Sequence, residues 1–394
     1  MAKFSSLNGT SCDNVTSVNG IAKASINNVD GLDACDSNPA MTRLIAGFDD
    51  AYVSYANNAD LSTKSKWQTN AYRVQGGSSP NKDILRIAYG KDGSGNPHYA
   101  AISAASTDCL FYVSSADLIA GNNWTRVEHT PDPPNQHDIL YANGVWISVG
   151  YIGGATKIIY RSTNGTSWTV MDLTSLLSGG ANNLQGLTSD GAGTWWMGGG
   201  SKVFKSTDDG ATWALEADLS SLDVVGIRHM VYTNSTVVAL VKHTSGGTDS
   251  IRIVTAAASD TTDWGTPVAA DDGTGGSGKM SVTYTKRCAA GAGRVICIDT
   301  GFCMSFDVNG KTASRISNRI NIADAGGAGG SGNSTDIATD GEGNWYISCT
   351  GTTGADLVRS TDNGANWSAI VTDIDPGSST EDMTALAVDR YLPL

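Results

Sequence analysis

The chain has 394 residues, a formal net charge of −13 and 47 glycines. No run of Lys or Arg offsets the acidic charge, which disfavours nucleic acids and anionic membrane surfaces as partners. No apolar stretch has the length of a signal-peptide core or a membrane-spanning helix, so the sequence predicts neither secretion by a signal peptide nor membrane insertion.

Residues 1–40 carry a repeat of eleven residues in which two apolar positions precede Asn-Gly or Asp-Gly. The apolar positions are Phe4, Leu7, Val15, Val18, Ile26 and Val29. Asn-Gly and Asp-Gly favour type I′ turns, so each unit is predicted to be a short strand followed by a tight turn. Three such units bury little surface alone. We therefore predict an anchoring arm that docks on the rest of the chain or on another subunit.

The remaining residues, 41–394, repeat a polar box that ends in tryptophan. The box at 206–213 returns at 360–367 with two substitutions, and a version one residue shorter lies at 162–168. Apolar-alternating runs flank each box, which predicts a hairpin turn between two strands. The defining residues are Ser162, Asn164, Gly165 and Trp168; Ser206, Asp208, Gly210 and Trp213; and Ser360, Asp362, Gly364 and Trp367.

Degenerate copies of the box complete a series of seven units. Their lead residues are Ser54, Ser114, Thr255 and Ser305, and the spacing along the series suits four-stranded propeller blades. Six blades are predicted at 84–128, 137–171, 184–216, 227–268, 280–314 and 334–371. In their second strands, the adjacent Trp195 and Trp196 should point to opposite blade interfaces.

The seventh blade is predicted to contain both ends of the propeller segment. The run 43–47 resembles the second strand of other units, and 51–53 resembles a third strand. The missing first strand is supplied by 384–389. The predicted fold class is therefore all-β: a seven-bladed β-propeller closed by pairing of N- and C-terminal strands, with a short N-terminal β-rich arm.

The box resembles the Asp-box, also called the sialidase or BNR repeat, S-x-D-x-G-x-x-W. This resemblance implies a β-propeller, whereas proteins of many functions carry the box. A sialidase would further imply three arginines that grip a carboxylate, one of them in a Phe/Tyr-Arg-Ile-Pro motif. The nearest string, Tyr72-Arg73-Val74-Gln75, lacks Ile-Pro, and Arg161 and Arg359 lie late on third strands. No catalytic residue is predicted.

The sequence shows no residue pattern for another kind of catalytic or metal site. Candidate carboxylates such as Asp49, Asp50, Asp299 and Asp307 are not distinguishable from turn aspartates, and the five histidines show no ligand spacing. No metal and no cofactor are predicted. His137 and His229 are expected near the central channel in a structural role. Cys297, Cys303 and Cys349 are expected to be buried free thiols, while pairing of Cys12 with Cys35 stays open.

The arm resembles N-terminal segments of structural proteins from marine tailed bacteriophages. That resemblance implies a non-enzymatic virion component of the tail, a fibre or the head surface, made in the host cytoplasm. The arm would dock to other virion proteins, in a homo-oligomer or larger assembly, and the propeller would contact a host surface glycan or protein. The alternatives are a sialidase-like glycan-processing enzyme and a soluble propeller adaptor.

Overall fold

The structure is a computed structural model, and it does not describe every residue of the chain. The described residues are 6–7, 10–11, 17–18, 21–22, 43–49, 52–58, 61–62, 64–68, 83–104, 110–120, 124–127, 136–152, 156–176, 184–270, 287–291, 293–299, 302–316, 320–321, 333–350, 355–372 and 382–389.

The described part of the arm consists of two very short antiparallel strand pairs. Strand β1 (Ser6–Leu7) pairs with β2 (Thr10–Ser11), and β3 (Ser17–Val18) pairs with β4 (Ile21–Ala22). Each pair flanks one of the first two Asn-Gly dipeptides of the repeat. The third unit, with Ile26 and Val29, lies outside the described residues, as do Phe4 and Val15.

Three antiparallel sheets follow one another along the chain, each built from consecutive strands. Blade 1 contains β7 (Ile84–Lys91), β8 (Pro97–Ser103), β9 (Leu110–Ser114) and β10 (Thr125–Arg126). Blade 2 contains β11 (Gln136–Ala142), β12 (Val145–Ile152), β13 (Thr156–Ser162) and β14 (Thr169–Asp172). Blade 3 contains β15 (Leu184–Ser189), β16 (Trp195–Gly199), β17 (Lys202–Ser206) and β18 (Ala214–Asp218).

Three further sheets repeat this order. Blade 4 contains β19 (Val224–Thr233), β20 (Thr236–Ser245), β21 (Thr248–Ala257) and β22 (Val268–Ala269). Blade 5 contains β23 (Arg287–Gly291), β24 (Arg294–Asp299), β25 (Phe302–Asn309) and β26 (Thr312–Arg315), and β27 (Ile320–Asn321) pairs with the start of β25. Blade 6 contains β28 (Asn333–Thr339), β29 (Trp345–Thr350), β30 (Ala355–Ser360) and β31 (Ser368–Thr372).

Blade 7 closes the ring, as predicted from the sequence. Strand β32 (Met383–Val388) pairs antiparallel with β5 (Arg43–Phe48), which pairs with β6 (Val53–Asn57). A single bridge from Tyr55 to Gln68 lies where a fourth strand would run. Because the two chain ends share one sheet, opening the ring would separate backbone pairs within that sheet.

The first strand of every blade contacts the first strands of both neighbouring blades, so that seven inner strands form a closed circuit. Seven hydrophobic clusters fill the seven blade interfaces. Trp195 packs with blade 2 and Trp196 packs with blade 4, as the alternation along β16 predicts. Both rings are fully buried.

Helical structure is confined to short segments in the described residues. Helix α1 (Ser115–Ala120) lies between β9 and β10, where the sequence predicts a degenerate box led by Ser114. The Ser114 hydroxyl instead accepts a hydrogen bond from the Asp117 backbone N–H and so caps a helix. Two 3-10 helices occur at Lys64–Lys66 and Leu219–Leu222.

Candidate functional site

The seven inner strands place one residue each at an equivalent position. These positions, called the channel ring below, are Arg86, Asp138, Gly186, His229, Cys288, Asp336 and Ala385. In six of the seven strands a register shift lies at or beside the ring position. Such bulges turn side chains away from the regular alternation, here toward the axis of the propeller.

Arg86 extends from blade 1 to three other blades. Its Nε lies 3.2 Å from Asp138 Oδ1 in blade 2, and its Nη1 lies 2.5 Å from Asp336 Oδ1 in blade 6. Its Nη2 lies 2.9 Å from His229 Nε2 in blade 4. Burial opposes the charge of Arg86, but the carboxylates of Asp336 and Asp138 outweigh that effect and raise its pKa. The guanidinium therefore stays charged and joins four blades.

The two ring aspartates are held in the same way by their own blade and by the next one. Asp138 Oδ1 accepts the Ile139 backbone N–H at 3.0 Å, and its Oδ2 accepts that of Leu187 in blade 3 at 3.2 Å. Asp336 repeats this arrangement with Ile337 at 2.9 Å and with Leu386 of blade 7 at 2.9 Å. Each carboxylate thus links its own blade to the next one, in addition to its ion pair with Arg86.

His229 is neutral, and its tautomer follows from its partners. Burial, with the charges of Arg86 and Arg287, lowers its pKa well below the ordinary value. An arginine only donates hydrogen bonds, so the Nε2 that faces Arg86 must be the acceptor. The ring proton is therefore on Nδ1, which lies 3.3 Å from the Cys288 sulfur and donates to it.

Arg287 adds a second buried cation beside the channel ring. Its residue exposure is 6%, and its Nη2 donates to the carbonyl of His137 in blade 2 at 3.4 Å. Among the described residues no carboxylate oxygen lies within ion-pair distance of it. Burial and the charge of Arg86 lower the pKa of Arg287. Burial, with the charge of Arg287, lowers the pKa of His137 to about 4.

Next to the channel ring the inner strands surround a cavity of about 200 Å³. Arg86, Asp138, His229 and Cys288 line its polar end. The opposite end is lined by Tyr89, Tyr141 and Tyr232, each three residues further along the strand of Arg86, Asp138 or His229. Three residues of a strand span roughly 10 Å. The walls between are mostly aliphatic. The cavity could therefore hold water or a small apolar group that meets one polar end.

The described residues show no cluster of three or more His, Cys, Asp or Glu side chains arranged to hold a metal ion. Nor do they include a helix that is long and apolar enough to span a membrane.

The three boxes lie between the third and fourth strands of blades 2, 3 and 6 and share one hydrogen-bond pattern. In blade 3 the Ser206 hydroxyl donates to Asp208 at 2.7 Å and accepts the Gly210 N–H at 2.9 Å. The Trp213 indole donates to the Gly210 carbonyl at 3.1 Å. Hydrogen bonds from Thr212 and Ser206 lower the pKa of Asp208 to about 2.

The other two boxes repeat these contacts. In blade 6, Gly364 N–H donates to the Ser360 hydroxyl at 2.9 Å, and the Trp367 indole donates to the Gly364 carbonyl at 3.2 Å. Asp362 there has a pKa lowered to about 2 by hydrogen bonds from Asn366 and Ser360. In the shortened box of blade 2, Asn164 Oδ1 replaces the carboxylate and accepts the Ser162 hydroxyl at 3.0 Å. The Gly165 N–H donates to the Ser162 hydroxyl, and the Trp168 indole donates to the Gly165 carbonyl.

Each full box also braces the blade before it. Gly210 has φ +74°, and a Cβ there would lie 2.2 Å from Ile147 Cδ1 in blade 2. Gly364 faces Ile296 of blade 5 in the same way. Arg161 donates from β13 to the Asp209 carbonyl at 2.8 Å. The boxes therefore connect blades at the outer part of one face, away from the channel ring.

The remaining candidates from the sequence do not converge on one site. Arg161 and Arg359 lie on third strands, and Arg359 donates to Asn344 at 2.9 Å. Asp299 is buried at the end of β24, and Asp307 pairs with Arg294 at 3.1 Å. Cys297, Cys303 and Cys349 are buried free thiols. The segment with Tyr72 and Arg73, together with Asp50, His129, Cys12 and Cys35, lies outside the described residues.

Sequence reasoning missed the channel ring except for His229. Arg86, Asp138 and Asp336 come from strands that are far apart in sequence, and no local motif joins them. A signal does exist: when the first strands are aligned, one polar residue precedes the same apolar run in Arg86-Ile87-Ala88, Asp138-Ile139-Leu140 and Asp336-Ile337-Ala338. An opposite-charge set at one aligned position of inner strands predicts ion pairs across the channel.

The fold and its centre define the class: a closed seven-bladed β-propeller whose channel is crossed by internal ion pairs. The sequence matches no protein-family model, and no curated protein matches it. Among solved structures, it is similar to "YCF48 bound to D1 peptide", with 16% identity, a TM-score of 0.45, and coverage of 72% of this chain and 80% of that one.

Two further solved structures are similar to it at the same TM-score of 0.45. YCF48 from Cyanidioschyzon merolae has 12% identity, with 73% of this chain and 84% of that one covered. AztD from Citrobacter koseri has 10% identity, with 89% of this chain and 98% of that one covered. At such identities the likeness concerns the fold and not the function.

Proposed function

We propose that this protein is a non-enzymatic structural component of a bacteriophage virion, attached to neighbouring virion subunits through its N-terminal arm. The observation that carries the proposal is the arm itself. Its described strands are two residues long and pair only with each other within the described sheets. Isolated two-stranded hairpins are marginal in water, so this repeat is best understood as a segment that gains its stability on a partner surface.

The propeller supports the same proposal, because a rigid body of this kind can present its faces to binding partners. The ring is closed by β32 and β5, and the boxes, which we propose are Asp-boxes, brace successive blades. In this role the propeller contacts other virion proteins or a host surface glycan. The virion is then the place of action, and no secretion signal is needed for a protein that is released by lysis.

A second candidate, a sialidase-like enzyme, is favoured by the two arginines near the ring centre. Arg86, however, is engaged by Asp138 and Asp336 at 3.2 and 2.5 Å. A substrate carboxylate would have to displace one of these aspartates. This arrangement favours a structural role for Arg86. Turnover of a fluorogenic sialoside panel by the full chain would support the enzyme instead.

The anchoring role is tested in phage particles that carry altered versions of the gene. Removal of residues 1–40, or the double substitution Leu7→Asp with Val18→Asp at apolar repeat positions, should abolish incorporation. Ser6→Asp with Ser17→Asp adds the same charges one position earlier in each strand and should leave incorporation intact. Mass spectrometry of purified particles measures the outcome. Normal incorporation without the arm would refute the proposal, and capture of a defined cellular partner by the free chain would favour an adaptor.

A further inference from the structure

Two cysteines of blade 5 lie directly opposite each other, one of them in the inner strand of the blade. Cys288 in β23 pairs in register with Cys297 in β24, and the hairpin between them closes at Gly291 and Arg294. A pair that closes a two-residue loop is hydrogen-bonded, and the two kinds of pair then alternate along the ladder. Cys288 and Cys297 are therefore a non-hydrogen-bonded pair, the kind with the closest side chains.

That register suits a disulfide. Non-hydrogen-bonded partners have Cα atoms about 4.5 Å apart and side chains on the same face of the sheet. Disulfides join residues whose Cα atoms are about 4.4–6.8 Å apart. Both cysteines pack in the same cluster between blades 4 and 5, and both are free thiols here. Closing the bond would need rotation of side chains rather than movement of strands.

The surroundings distinguish the two sulfurs. The Cys288 sulfur accepts the Nδ1–H of His229 at 3.3 Å, as the tautomer assigned above requires. Its hydrogen bond with Cys297, together with burial, raises the pKa of the Cys297 thiol well above its ordinary value. Cys297 thus keeps its proton and donates it toward Cys288. Two donors, the His229 Nδ1–H and the Cys297 thiol, are therefore directed at the Cys288 sulfur.

Cys288 is also the cysteine that a small molecule can reach. It lines the cavity of about 200 Å³, whereas Cys297 does not. One water occupies about 30 Å³ of liquid, so the cavity has room for a peroxide beside the sulfur. The guanidinium groups of Arg86 and Arg287 interact favourably with a thiolate there.

We propose that Cys288 and Cys297 are a peroxide-reactive dithiol, in which Cys288 is oxidised first and Cys297 resolves it. The Cys288 thiolate attacks one oxygen of hydrogen peroxide, the O–O bond breaks, and Cys288 sulfenic acid and hydroxide are formed. The Cys297 sulfur then attacks the sulfenic sulfur, an S–S bond forms, and the hydroxyl group leaves with the Cys297 proton as water. Two thiols are oxidised and one peroxide is reduced.

The other described cysteines provide a matched control. Cys303 and Cys349 are also buried thiols outside any disulfide, but Cys303 lies opposite Ile298 and Cys349 lies opposite Ser334. Neither has a cysteine as its directly paired partner. A reaction that required only a buried thiol would involve them as readily as Cys288.

The test uses the reduced full-length chain, exposed to hydrogen peroxide while folded and then alkylated after denaturation. Peptide mapping should find one disulfide that joins Cys288 to Cys297, in the wild type and in Cys303→Ser alike. Cys297→Ser should stop at a Cys288 sulfenic acid that dimedone traps, and Cys288→Ser should leave Cys297 reduced. The map separates this pair from the cysteines outside the described residues, namely Cys12, Cys35 and Cys109.

The proposal is overturned if both thiols stay fully alkylatable after peroxide treatment of a protein whose near-UV circular dichroism is native. It is equally overturned if the disulfide joins other cysteines or if dimedone labels Cys303 in preference to Cys288. Should Cys288→Ser fail to fold, the wild-type peptide map still decides between these outcomes.

Discussion

Replacing Arg86 by methionine would test whether the channel ring holds the blades together. Methionine has a similar length and no charge, so the substitution removes the cation and keeps much of the volume. The side chains of Asp138 and Asp336 are 3% and 1% exposed, and that of Arg86 is 16% exposed. The change would therefore leave two carboxylates in the protein interior without the charge that they share.

The expected magnitude follows from that burial. Removing one partner of a buried ion pair costs about 3–5 kcal/mol, because the other charge remains desolvated. Arg86 serves two carboxylates, which argues for a larger loss. Each carboxylate keeps two backbone N–H donors, which argues for a smaller one. We expect Arg86→Met to lower the free energy of unfolding by about 3–5 kcal/mol.

Urea unfolding followed by tryptophan fluorescence measures this loss. The matched control is Lys311→Met, which removes an exposed ion pair with Asp263 at 2.5 Å and should change stability by at most about 1 kcal/mol. Adding Asp138→Asn and Asp336→Asn to Arg86→Met removes the stranded charges and should recover part of the loss. A change for Arg86→Met no larger than that of the control would refute the assigned role of the channel ring.

Two further predictions concern a box and a histidine. Gly210→Ala forces a Cβ against Ile147 at a positive φ and should destabilise the fold by about 1–3 kcal/mol or more. The control Gly246→Ala, at φ +57° with open space around it, should destabilise the fold clearly less. Equal urea midpoints for the two variants would contradict the assigned contact. The pKa of His229 is depressed in the fold, so only the unfolded chain takes up a proton at this residue as the pH falls below about 6.5. The free energy of unfolding should therefore fall by up to about 1.4 kcal/mol per pH unit. His229→Gln should reduce that slope, and an unchanged slope would refute the assignment of a buried neutral imidazole.

The fold could be predicted because its signal is repeated along the chain. A box such as 206–213 identifies a turn between strands wherever it occurs, and the spacing of the boxes then gives the number of blades. Closure was predictable for a related reason, since 43–47 resembles a second strand that lacks its first. The helix at Ser115–Ala120 was not predictable from this reasoning. Ser114 caps a helix and does not begin a box turn, and the sequences typical of these two structures differ by a few polar residues.

The channel ring lay beyond sequence reasoning for a geometric reason. Whether Arg86 meets Asp138 and Asp336 depends on where the bulges fall in separate strands, because one residue of register changes the face of a strand that a side chain occupies. Only the closed ring brings the three residues to a common axis, and their charges then stabilise that register.

The same ring limits what the centre of the propeller can bind. Arg86 and Arg287 carry two positive charges, Asp138 and Asp336 carry two negative charges, and His229 is neutral, so the formal charge of the cluster is zero. A ligand carboxylate that bound Arg86 would leave a buried aspartate without its cation, at a cost comparable to the roughly 3–5 kcal/mol expected for Arg86→Met. A neutral ligand that fills the apolar part of the cavity would incur no such cost. Binding of an anion at Arg86 is therefore disfavoured by the ion pairs that join the blades.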